Sequence, residues 1–501
     1  AEYLLKDSAS TVCFVSDDKQ AAKILEAKPN CPSLVHVIVF EPGEAKGVTP
    51  YEAILDAGRK AQAKDPAGFD RRADARKPED LATLIYTSGT TGEPKGAMLT
   101  QDNFVSNFVA GTQLMPLSSD DVALSFLPLS HVFERTIEYC YFHKGVTIAY
   151  AESIEKLGAN LKEVNPTVFG AVPRVYEKVY AKIQDGLEKK TPAQKKIFLA
   201  AIETGKEILA LRAQKKTPGA VLAFKSFVFE RLVYNKIRAA LGTRFRYAIS
   251  GGAPLAKDLA EFFWAVGVEI YEGYGLTETS PVISLNCPSA WRLGSVGRIL
   301  PGVDVKIAPD GEILARGPNI MKGYLNKPQA TKEAIDDDGW FHTGDIGVID
   351  EDGFLKITDR KKELLVNANG KNIPPAPIES FLKGDPFIAQ PICIGDRRKF
   401  LSVLIVPNFD KLKEWAHQNG LGGKTMDELA NDPKVRELFQ KTIDRWNHGK
   451  PHEQVIVKFS LLTNDLSIEG GELTPTLKVK RRVIDTKYKD EIDSMYAGSK
   501  D

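Results

Sequence analysis

The stretch YTSGTTGEPKG occupies residues 86–96 and follows directly after the apolar run from Leu81 to Ile85. Its glycines allow tight turns that bring backbone N–H groups close to an anion, its hydroxyl side chains add donors, and Lys95 supplies a positive charge. The pattern is not a Walker loop, because Gly96 follows the lysine where that loop has Ser or Thr. Taken alone, the stretch fits either a phosphate-binding loop or an ordinary surface turn.

Composition limits the class of protein. The chain has 501 residues, of which 43% are hydrophobic and 27% are charged, as is typical of a soluble globular protein with two or more cores. A net charge of +1 leaves no general basic excess to neutralise a nucleic-acid backbone, although local basic patches stay open. The five cysteines show no CxxC spacing, so neither a disulfide framework nor a zinc site is expected, and a reducing, cytoplasmic compartment is predicted. No apolar run is long enough to span a membrane, and a peripheral membrane contact stays open.

Short apolar runs alternate with amphipathic stretches up to about Phe262, which predicts an α/β fold with a mostly parallel sheet. Helix-type spacing predicts a helical insertion, rich in lysine, over about residues 175–241, and the Thr-Pro pairs at 191–192 and 217–218 each predict an N-cap followed by a first-turn proline. The predicted strands of the first part are Val35 to Phe40, Leu81 to Tyr86, Val122 to Leu127, Val146 to Tyr150, Val168 to Val172 and Tyr247 to Ser250.

The second part of the chain has a different pattern. After Phe262 the sequence predicts β-hairpins, and a basic run begins next to Asp359, where we place a domain boundary. We expect a large N-terminal domain of layered α/β sheets with a β-rich subdomain, residues 1–358, and a small C-terminal α+β domain, residues 359–501.

Three further segments combine glycines with polar side chains. SGGAP at 250–254 lies between a predicted strand and a predicted helix, as in a nucleotide-binding turn or a simple corner. YEGYGLTET at 271–279 carries tyrosines, carboxylates and threonines with little apolar content to bury. GWFHTGD at 339–345 places a carboxylate at a tight turn before a hairpin.

Taken in this order, the segments resemble those of the adenylate-forming, or AMP-binding, superfamily, which includes acyl-CoA synthetases, luciferases and nonribosomal-peptide adenylation domains. The resemblance covers nearly the whole chain, and several motifs in the same order argue against coincidence. The matching segments are YTSGTTGEPKG at 86–96, GYGLTE at 273–278, GEILARGPNIMKGY at 311–324, GWFHTGDIG at 339–347 and DRKKELLVNANGKNI at 359–373.

The resemblance implies a two-step reaction. A carboxylate attacks the α-phosphate of ATP, pyrophosphate leaves, and a thiol then cleaves the acyl-adenylate. Glu278 is implied to hold Mg²⁺ that bridges phosphate oxygens, and Thr277 to bond the α-phosphate. The residues implied to grip the β- and γ-phosphates are Thr87, Ser88, Gly89, Thr90, Thr91, Gly92 and Lys95.

The resemblance also implies how the nucleoside is bound. Asp345 would accept hydrogen bonds from both ribose hydroxyls, and Arg360 would add a donor to the ribose or phosphate. Small residues let the backbone approach the adenine, and an aromatic ring stacks on it. The residues implied to form this adenine slot are Gly251, Gly252, Ala253 and Tyr274, and the adjacent Gly275 is also assigned to cofactor binding.

The family's catalytic lysine aligns with Lys478, where it would withdraw charge from the α-phosphate and the substrate carboxylate. Many relatives have Gly before this lysine, whereas this chain has Leu477, and Lys480 lies two residues further on. For the second step the family implies that the small domain is mobile and rotates about Asp359. This motion would bring in residues 362–375, including Lys362 and Gly370, to form the channel for the CoA thiol.

The segment VPRVYEK at 172–178, the helical insertion and the ending ELTPTLKVKRRVI at 472–484 resemble long-chain fatty acyl-CoA synthetases. We therefore expect a long-chain fatty acid as the substrate, with ATP, Mg²⁺ and coenzyme A. His131 is the candidate for contact near the substrate carboxylate, with a structural role as the alternative.

Two other functions are open. One is a fatty acyl-AMP ligase that loads a carrier-protein thiol, and the other is a non-catalytic fatty-acid-binding relative, against which the presence of Glu278, Asp345 and Lys478 argues.

Family members also carry a further stretch before the position of Ala1, so we expect the first strands of the large domain to be missing. An uncovered sheet face would favour aggregation or a partner.

Overall fold

The computed structural model describes residues 1–87, 93–361, 364–368, 371–467, 469–473 and 479–497. Its strands are β1 Val12–Val15, β2 His36–Val39, β3 Thr49–Pro50, β4 Leu81–Thr87, β5 Lys95–Thr100, β6 Val122–Ser125, β7 Thr147–Tyr150, β8 Val168–Ala171, β9 Tyr247–Ser250, β10 Glu269–Gly275, β11 Val282–Leu285, β12 Arg298–Ile299, β13 Asp304–Ile307, β14 Glu312–Arg316, β15 Gly323–Tyr324, β16 Phe341–Ile349, β17 Leu355–Arg360, β18 Leu365–Val366, β19 Asn372–Ile373, β20 Ile388–Ile394, β21 Leu401–Pro407 and β22 Ile456–Leu461.

The α-helices alternate with these strands over most of the chain. They are α1 Glu2–Asp7, α2 Asp18–Ala27, α3 Tyr51–Lys64, α4 Gly68–Asp74, α5 Gln101–Leu114, α6 Val132–Lys144, α7 Leu157–Val164, α8 Pro173–Glu188, α9 Pro192–Ala213, α10 Ala220–Phe229, α11 Asn235–Arg238, α12 Lys257–Ala265, α13 Pro328–Ala334, α14 Pro375–Lys383, α15 Phe409–Gln418, α16 Met426–Ala430, α17 Pro433–Asn447, α18 Arg481–Lys487 and α19 Lys489–Tyr496. Within the described ranges, no helix combines the length and the apolar character needed to cross a bilayer.

The central sheet has seven strands in the order β12-β11-β10-β9-β8-β6-β7. The strands from β10 to β7 run parallel, whereas β11 and β12 are added antiparallel at one edge. Successive residues point to opposite faces, as the period of a strand requires. Phe169 and Ala248 pack with helices α7, α8 and α9 on one face, and Val168 and Tyr247 pack with α6 on the other. The sheet is therefore buried on both sides, as expected for parallel strands.

The predicted strands all form, but they do not share one sheet. The run from Val35 to Phe40 becomes β2, in a separate parallel sheet with β1 and β3. The run from Leu81 to Tyr86 becomes β4, in an antiparallel sheet with β5 and β15. The expectation of a single mostly parallel sheet is wrong here, because the short connection between β4 and β5 allows only an antiparallel pair.

The region predicted as a helical insertion contains α8, α9, α10 and α11. Thr191 caps α9 as predicted: its hydroxyl accepts from the Gln194 N–H, and the Gln194 side chain bonds back to the Thr191 N–H. The matching prediction for Thr217-Pro218 is wrong, because α10 begins at Ala220 and the extended residue Gly219 holds the N-cap position.

Two predicted hairpins form the β-rich part of the large domain. Strands β13 and β14 pair antiparallel, as do β16 and β17, in one sheet of order β13-β14-β16-β17. Register in this sheet sets Asp345 directly opposite Arg360. The antiparallel pairing therefore brings together two residues that are distant in sequence and were both assigned to the nucleotide site.

The C-terminal part is built on the sheet β20-β21-β22. Strand β21 is buried along its whole length, because one face packs against α14, α15 and α17 and the other against α18 and α19. The α/β fold class predicted from the sequence is confirmed, with layered sheets in the first part and a smaller α+β unit at the end.

Candidate active site

One continuous segment, Tyr274 to Glu278, connects the parts of the candidate site. The segment leaves the central sheet at the carboxyl end of β10, the edge at which α/β sheets bind ligands. Gly275 is required by packing, since a Cβ atom at this position would clash with the backbone carbonyl of Pro281. Thr277 is half-buried and Glu278 is buried, in a short 3-10 turn that follows the strand.

The residues of the predicted adenine slot lie beside this segment. Ser250, the last residue of β9, is the register partner of Glu272 in β10, so Gly251 and the residues after it leave the sheet next to Tyr274. Gly251 is buried against the Phe133 ring, and a Cβ atom there would lie 2.8 Å from the Phe133 Cε2 atom. Gly252 has a φ of +78°, which L-residues rarely adopt.

Asp345 is a buried carboxylate held by donors from two directions. The Tyr274 hydroxyl donates to Oδ2 over 2.7 Å, and the Arg360 Nε atom lies 3.0 Å from Oδ1. Burial raises the pKa of Tyr274 well above its ordinary value, and the Asp345 charge adds to this shift. The sequence predicted Tyr274 as an adenine-stacking ring. In the structure the Tyr274 hydroxyl orients Asp345, a role that the sequence did not predict, and the Tyr274 ring packs with Ile283 and Ile313.

Glu278 is joined to the phosphate-loop hairpin through Tyr324, whose role the sequence analysis did not foresee. The Tyr324 hydroxyl donates to the Glu278 Oε1 atom over 2.7 Å. Tyr324 lies in β15, which pairs with β5, and the Lys95 Nζ atom lies 5.1 Å from the Tyr324 ring centroid. Burial raises the pKa of Tyr324, as does the nearby Glu278 carboxylate. The only sequence signal was its place at the end of the GEILARGPNIMKGY motif.

The residues on either side of the predicted phosphate loop lie in two strands, β4 and β5, that pair antiparallel. Thr87 ends β4 and is the register partner of Lys95, which begins β5, and the Thr87 hydroxyl donates to the Lys95 carbonyl over 3.5 Å. Tyr86 packs its ring against Gly96 and donates its hydroxyl to the Asp7 Oδ2 atom over 2.7 Å. The base of the hairpin is therefore held by residues on both of its strands.

Several predicted site residues lie outside the described ranges, and the structure gives no geometry for them. The predicted residues outside these ranges are Ser88, Gly89, Thr90, Thr91, Gly92, Lys362, Gly370 and Lys478.

His131 has a structural role in the structure. It occupies the N-cap position of α6, and its Nδ1 atom accepts from the Phe133 N–H over 3.2 Å. Because Nδ1 is the acceptor, the neutral ring carries its proton on Nε2. The predicted contact with a substrate carboxylate stays a prediction.

Glu134, a buried carboxylate on α6, was not found from the sequence. The Glu134 Oε1 atom accepts from the Ser125 hydroxyl over 2.6 Å, and its Oε2 atom has no hydrogen-bond partner among the described residues. Burial raises the pKa of Glu134 to about 7, and the Glu138 charge adds to this shift.

Glu312 and Lys361 form an ion pair next to Asp345, which the sequence analysis also missed. The Lys361 Nζ atom lies 2.9 Å from the Glu312 Oε2 atom and 2.6 Å from the Asp310 Oδ2 atom. Glu312 also accepts from the Gly344 N–H over 2.9 Å, so the pair supports the part of strand β16 that carries Asp345. The Lys361 contacts fix the chain immediately after Arg360. The predicted tight turn at Asp345 is wrong, because this residue lies within the strand and pairs with Arg360.

The residues present fit a magnesium ion that arrives with a nucleotide. Among the residues that the structure describes, no group of three or more His, Cys, Asp or Glu side chains is arranged to hold a metal ion. Mg²⁺ needs no such group, because it is commonly bound by one or two carboxylates together with substrate phosphates and water. Glu278 accepts from Tyr324 at Oε1, and a carboxylate has acceptor capacity for further ligands.

Family models match both parts of the chain. Residues 1–325 match the model described as AMP-binding enzyme, and residues 362–500 match the model described as AMP-binding enzyme C-terminal domain. The chain belongs to the AMP-binding enzyme family. This confirms the family that the motifs predicted.

Two relatives with high sequence identity are long-chain-fatty-acid–CoA ligases. The chain is 39% identical over 497 residues to the long-chain-fatty-acid–CoA ligase FadD15 of Mycobacterium tuberculosis, covering 99% of this chain and 81% of that protein. It is 35% identical over 537 residues to the human long-chain-fatty-acid–CoA ligase ACSBG1, covering 100% of this chain and 73% of that protein.

Solved structures show the same fold at lower identity. The adenylation domain of a carboxylate reductase from Mycobacterium chelonae superposes with a TM-score of 0.71 at 23% identity, covering 99% of this chain and 74% of that chain. ATP-bound MatB from Rhodopseudomonas palustris superposes with a TM-score of 0.65 at 22% identity, covering 98% of this chain and 81% of that chain.

Proposed function

We propose that this protein is a long-chain fatty acid CoA ligase. It activates a fatty acid with ATP, releases pyrophosphate, and transfers the acyl group from the acyl-adenylate to coenzyme A with release of AMP. The observation that carries the proposal is the continuous segment from Tyr274 to Glu278, which contacts Asp345 at one end and Tyr324 at the other. The identity of 39% to a long-chain-fatty-acid–CoA ligase over 497 residues supports the substrate class.

Adenylation places the nucleotide across this segment. Asp345 accepts hydrogen bonds from the ribose hydroxyls, since an ionised carboxylate is purely an acceptor with about four lone-pair positions. Gly251, Gly252 and Ala253 let the backbone approach the adenine. Thr277 bonds the α-phosphate.

The β- and γ-phosphates lie over the hairpin of β4 and β5. Lys95 supplies positive charge there, next to the Tyr324 ring, whose hydroxyl donates to Glu278. Glu278 holds the Mg²⁺ ion, which when bound neutralises phosphate charge and assists the departure of pyrophosphate. Tyr324 keeps the Glu278 carboxylate in one orientation, so the site is arranged before the nucleotide binds.

The second step uses the same site with a different arrangement of the C-terminal part. We propose a large domain of residues 1–358, a small mobile domain of residues 359–501, and a hinge at Asp359. Strand β17 ends at Arg360, which supports a junction at this point, and Lys361, just beyond the hinge, contacts Asp310 and Glu312 of the large domain in this arrangement. Lys362 and Gly370 line the approach of the CoA thiol.

The test is a product assay on the full chain. We expect AMP and pyrophosphate to appear only with a long-chain fatty acid, ATP and Mg²⁺ together, and acyl-CoA to appear once CoA is added. AMP release without thioester would identify a carrier-protein-loading ligase instead, and nucleotide binding without turnover would identify a non-catalytic relative. Either result would overturn the proposal.

A pair of lysine variants tests the assigned chemistry. Lys478→Ala should slow adenylation by about a hundredfold or more, because it removes the cation that offsets charge in the transition state. It should leave thioester formation from supplied acyl-adenylate largely intact. Lys480→Ala is the matched control, since it removes the same charge two positions away. Equal loss of both steps in Lys478→Ala would contradict the role.

A further inference from the structure

Helix α10 presents an apolar face that no element of the described structure covers. Val221 is 73% exposed, Phe224 is 68% exposed and Phe227 is 56% exposed. Their spacing of three residues sets them on one side of the helix. Leu232, just beyond the helix, is also exposed. Single exposed apolar residues are common, but contiguous large ones mark an interaction surface.

The opposite side of α10 explains why this face points outward. Phe229, at the end of the helix, packs against the core cluster that contains Ala201 and Ile202 of α9. The inner side of α10 therefore packs against α9. A rotation of α10 that turned Phe224 and Phe227 inward would lose this packing.

Basic side chains surround the apolar face. Residues 189–238 contain twelve Lys or Arg and three Asp or Glu, although the whole chain has a net charge of only +1. Lys215 and Lys216 precede the helix, Lys225 lies on it and Arg231 follows it, all of them exposed. The Arg231 guanidinium carbon lies 4.8 Å from the Phe227 ring centroid, so cation and ring share one surface.

Of the three carboxylates of this region, two are paired with cations outside that surface, and the third, Glu207, lies on helix α9. Glu230 is engaged by Arg238, and Glu203 lies 3.7 Å from Lys206 on the neighbouring helix α9. The surface formed by Val221, Phe224, Phe227, Lys225 and Arg231, together with Leu232, Lys215 and Lys216, is here called the α10 patch. It is apolar at its centre and positive at its edge.

We propose that the α10 patch docks onto an anionic lipid bilayer, with α10 lying parallel to the membrane plane. The aromatic and aliphatic side chains enter the boundary between headgroups and acyl chains, and the lysines and arginine contact lipid phosphates. A second copy of this chain fits the patch less well. In a two-fold dimer the patch would meet itself, which would bring its positive edges together.

This inference rests on the exposed surface and its charge, and it does not depend on the ligase activity. Docking would nevertheless be useful to an enzyme of this class, because a long-chain fatty acid partitions into the bilayer that the patch would contact. A protein that binds vesicles but lacks ligase activity would contradict the proposed function alone. A ligase that ignores vesicles would contradict this inference alone.

The experiment is vesicle co-sedimentation of the full chain. Vesicles of phosphatidylcholine alone are compared with vesicles that also contain phosphatidylglycerol, at low and at high salt. We expect binding to the anionic vesicles, weakened by salt because the electrostatic attraction is screened. The double variant Phe224→Ser with Phe227→Ser should bind at least about tenfold more weakly.

Matched variants separate the patch from general effects. Phe69→Ser removes a phenylalanine of nearly equal exposure, 69%, from helix α4 and should leave vesicle binding unchanged. Lys215→Gln with Lys216→Gln should weaken binding to anionic vesicles, whereas Lys60→Gln with Lys64→Gln on helix α3 should have little effect.

Three results would overturn the inference. The first is wild-type protein that does not bind anionic vesicles at low salt. The second is a double phenylalanine variant that keeps its fold by circular dichroism and binds like Phe69→Ser. The third is a wild-type dimer that this double variant converts to a monomer, which would identify a second copy of the chain as the occupant.

Discussion

Tyr274 and Asp345 are joined by a buried hydrogen bond of 2.7 Å that links the central sheet to the β-rich sheet. The tyrosine comes from the end of β10 and the carboxylate from β16. Because burial and the Asp345 charge both raise the pKa of Tyr274, its hydroxyl stays protonated and acts as a donor to the carboxylate. The orientation of the proposed ribose-binding group is thus set before any nucleotide arrives.

Replacing this donor tests the orientation. Tyr274→Phe keeps the ring and removes the hydroxyl, so Asp345 loses the donor at its Oδ2 atom. A hydrogen bond to a charged group contributes about 1.5 to 3 kcal/mol, so we expect the KM for ATP to rise by about tenfold or more. Steady-state kinetics with varied ATP measures this change.

Tyr271 offers a matched control in the same strand. Its hydroxyl donates to Glu269 over 2.5 Å, away from Asp345. Tyr271→Phe should lower thermal stability without changing the KM for ATP. If the two variants changed that KM equally, the loss would be a general effect of strand β10, and the proposed role of Tyr274 would be wrong.

Removing the Tyr324 hydroxyl should change the dependence on magnesium. Tyr324→Phe leaves the ring over Lys95 but frees the Glu278 carboxylate to reorient. We expect the Mg²⁺ concentration for half-maximal pyrophosphate release to rise about tenfold, in line with the effect of losing a group that orients a metal ligand. Tyr139→Phe, on helix α6, is the control. An unchanged Mg²⁺ titration in Tyr324→Phe would contradict the role of Glu278 or that of Tyr324.

The Glu312–Lys361 pair predicts a loss of stability in acid. Burial acts to raise the pKa of Glu312, but hydrogen bonds from Lys361, the Gly344 N–H and His342 outweigh it and lower the pKa below the ordinary 4.5. The stabilisation is therefore fully present above pH 4.5 and is lost as the pH falls through the lowered value.

Denaturant unfolding of Glu312→Gln measures that contribution. We expect the variant to be less stable than wild type by about 1 to 3 kcal/mol near neutral pH, and the difference to shrink in acid. Asp304→Asn breaks an exposed pair with Arg316 and should have little effect at any pH. A difference between Glu312→Gln and wild type that did not change with pH would contradict the ionic origin.

Local patterns in the sequence predicted where helices and strands form better than they predicted which strands pair in one sheet. The hairpin of β16 and β17 and the N-cap at Thr191 were predicted because turn and cap residues act over a few positions. The separation of β2 from the central sheet was missed, because an apolar run of this length is compatible with any parallel sheet. The sheet in which a strand lies depends on contacts with distant segments.

The candidate site shows the same division. Glu278 and Asp345 could be assigned because they stand in motifs, whereas Tyr324 and Lys361 gained their roles only from long-range contacts. Tyr324 is separated from Glu278 by 46 residues, and no periodic pattern links two such positions. Glu134 was missed for a different reason, since a charged residue on a helix is usually exposed.

Glu134 predicts a stability effect of opposite sign to that of Glu312. Burial raises its pKa to about 7 from the ordinary 4.5, so between these values the folded protein holds a proton that the unfolded chain has released. Stability therefore falls as the pH rises through this window, by up to about 3 kcal/mol for a fully buried group. Glu134→Gln cannot ionise, so the variant should gain stability relative to wild type as the pH rises.

Urea unfolding at about pH 5 and about pH 8 measures the relative gain. The amide of Glu134→Gln can still accept from the Ser125 hydroxyl, and any cost of its buried N–H groups is the same at both pH values. The change in the stability difference with pH is therefore the decisive quantity. Glu163→Gln, at an exposed position on α7, should show no such change. A stability difference between Glu134→Gln and wild type that stayed constant over this range would show that Glu134 ionises in the folded protein as it does in the unfolded chain.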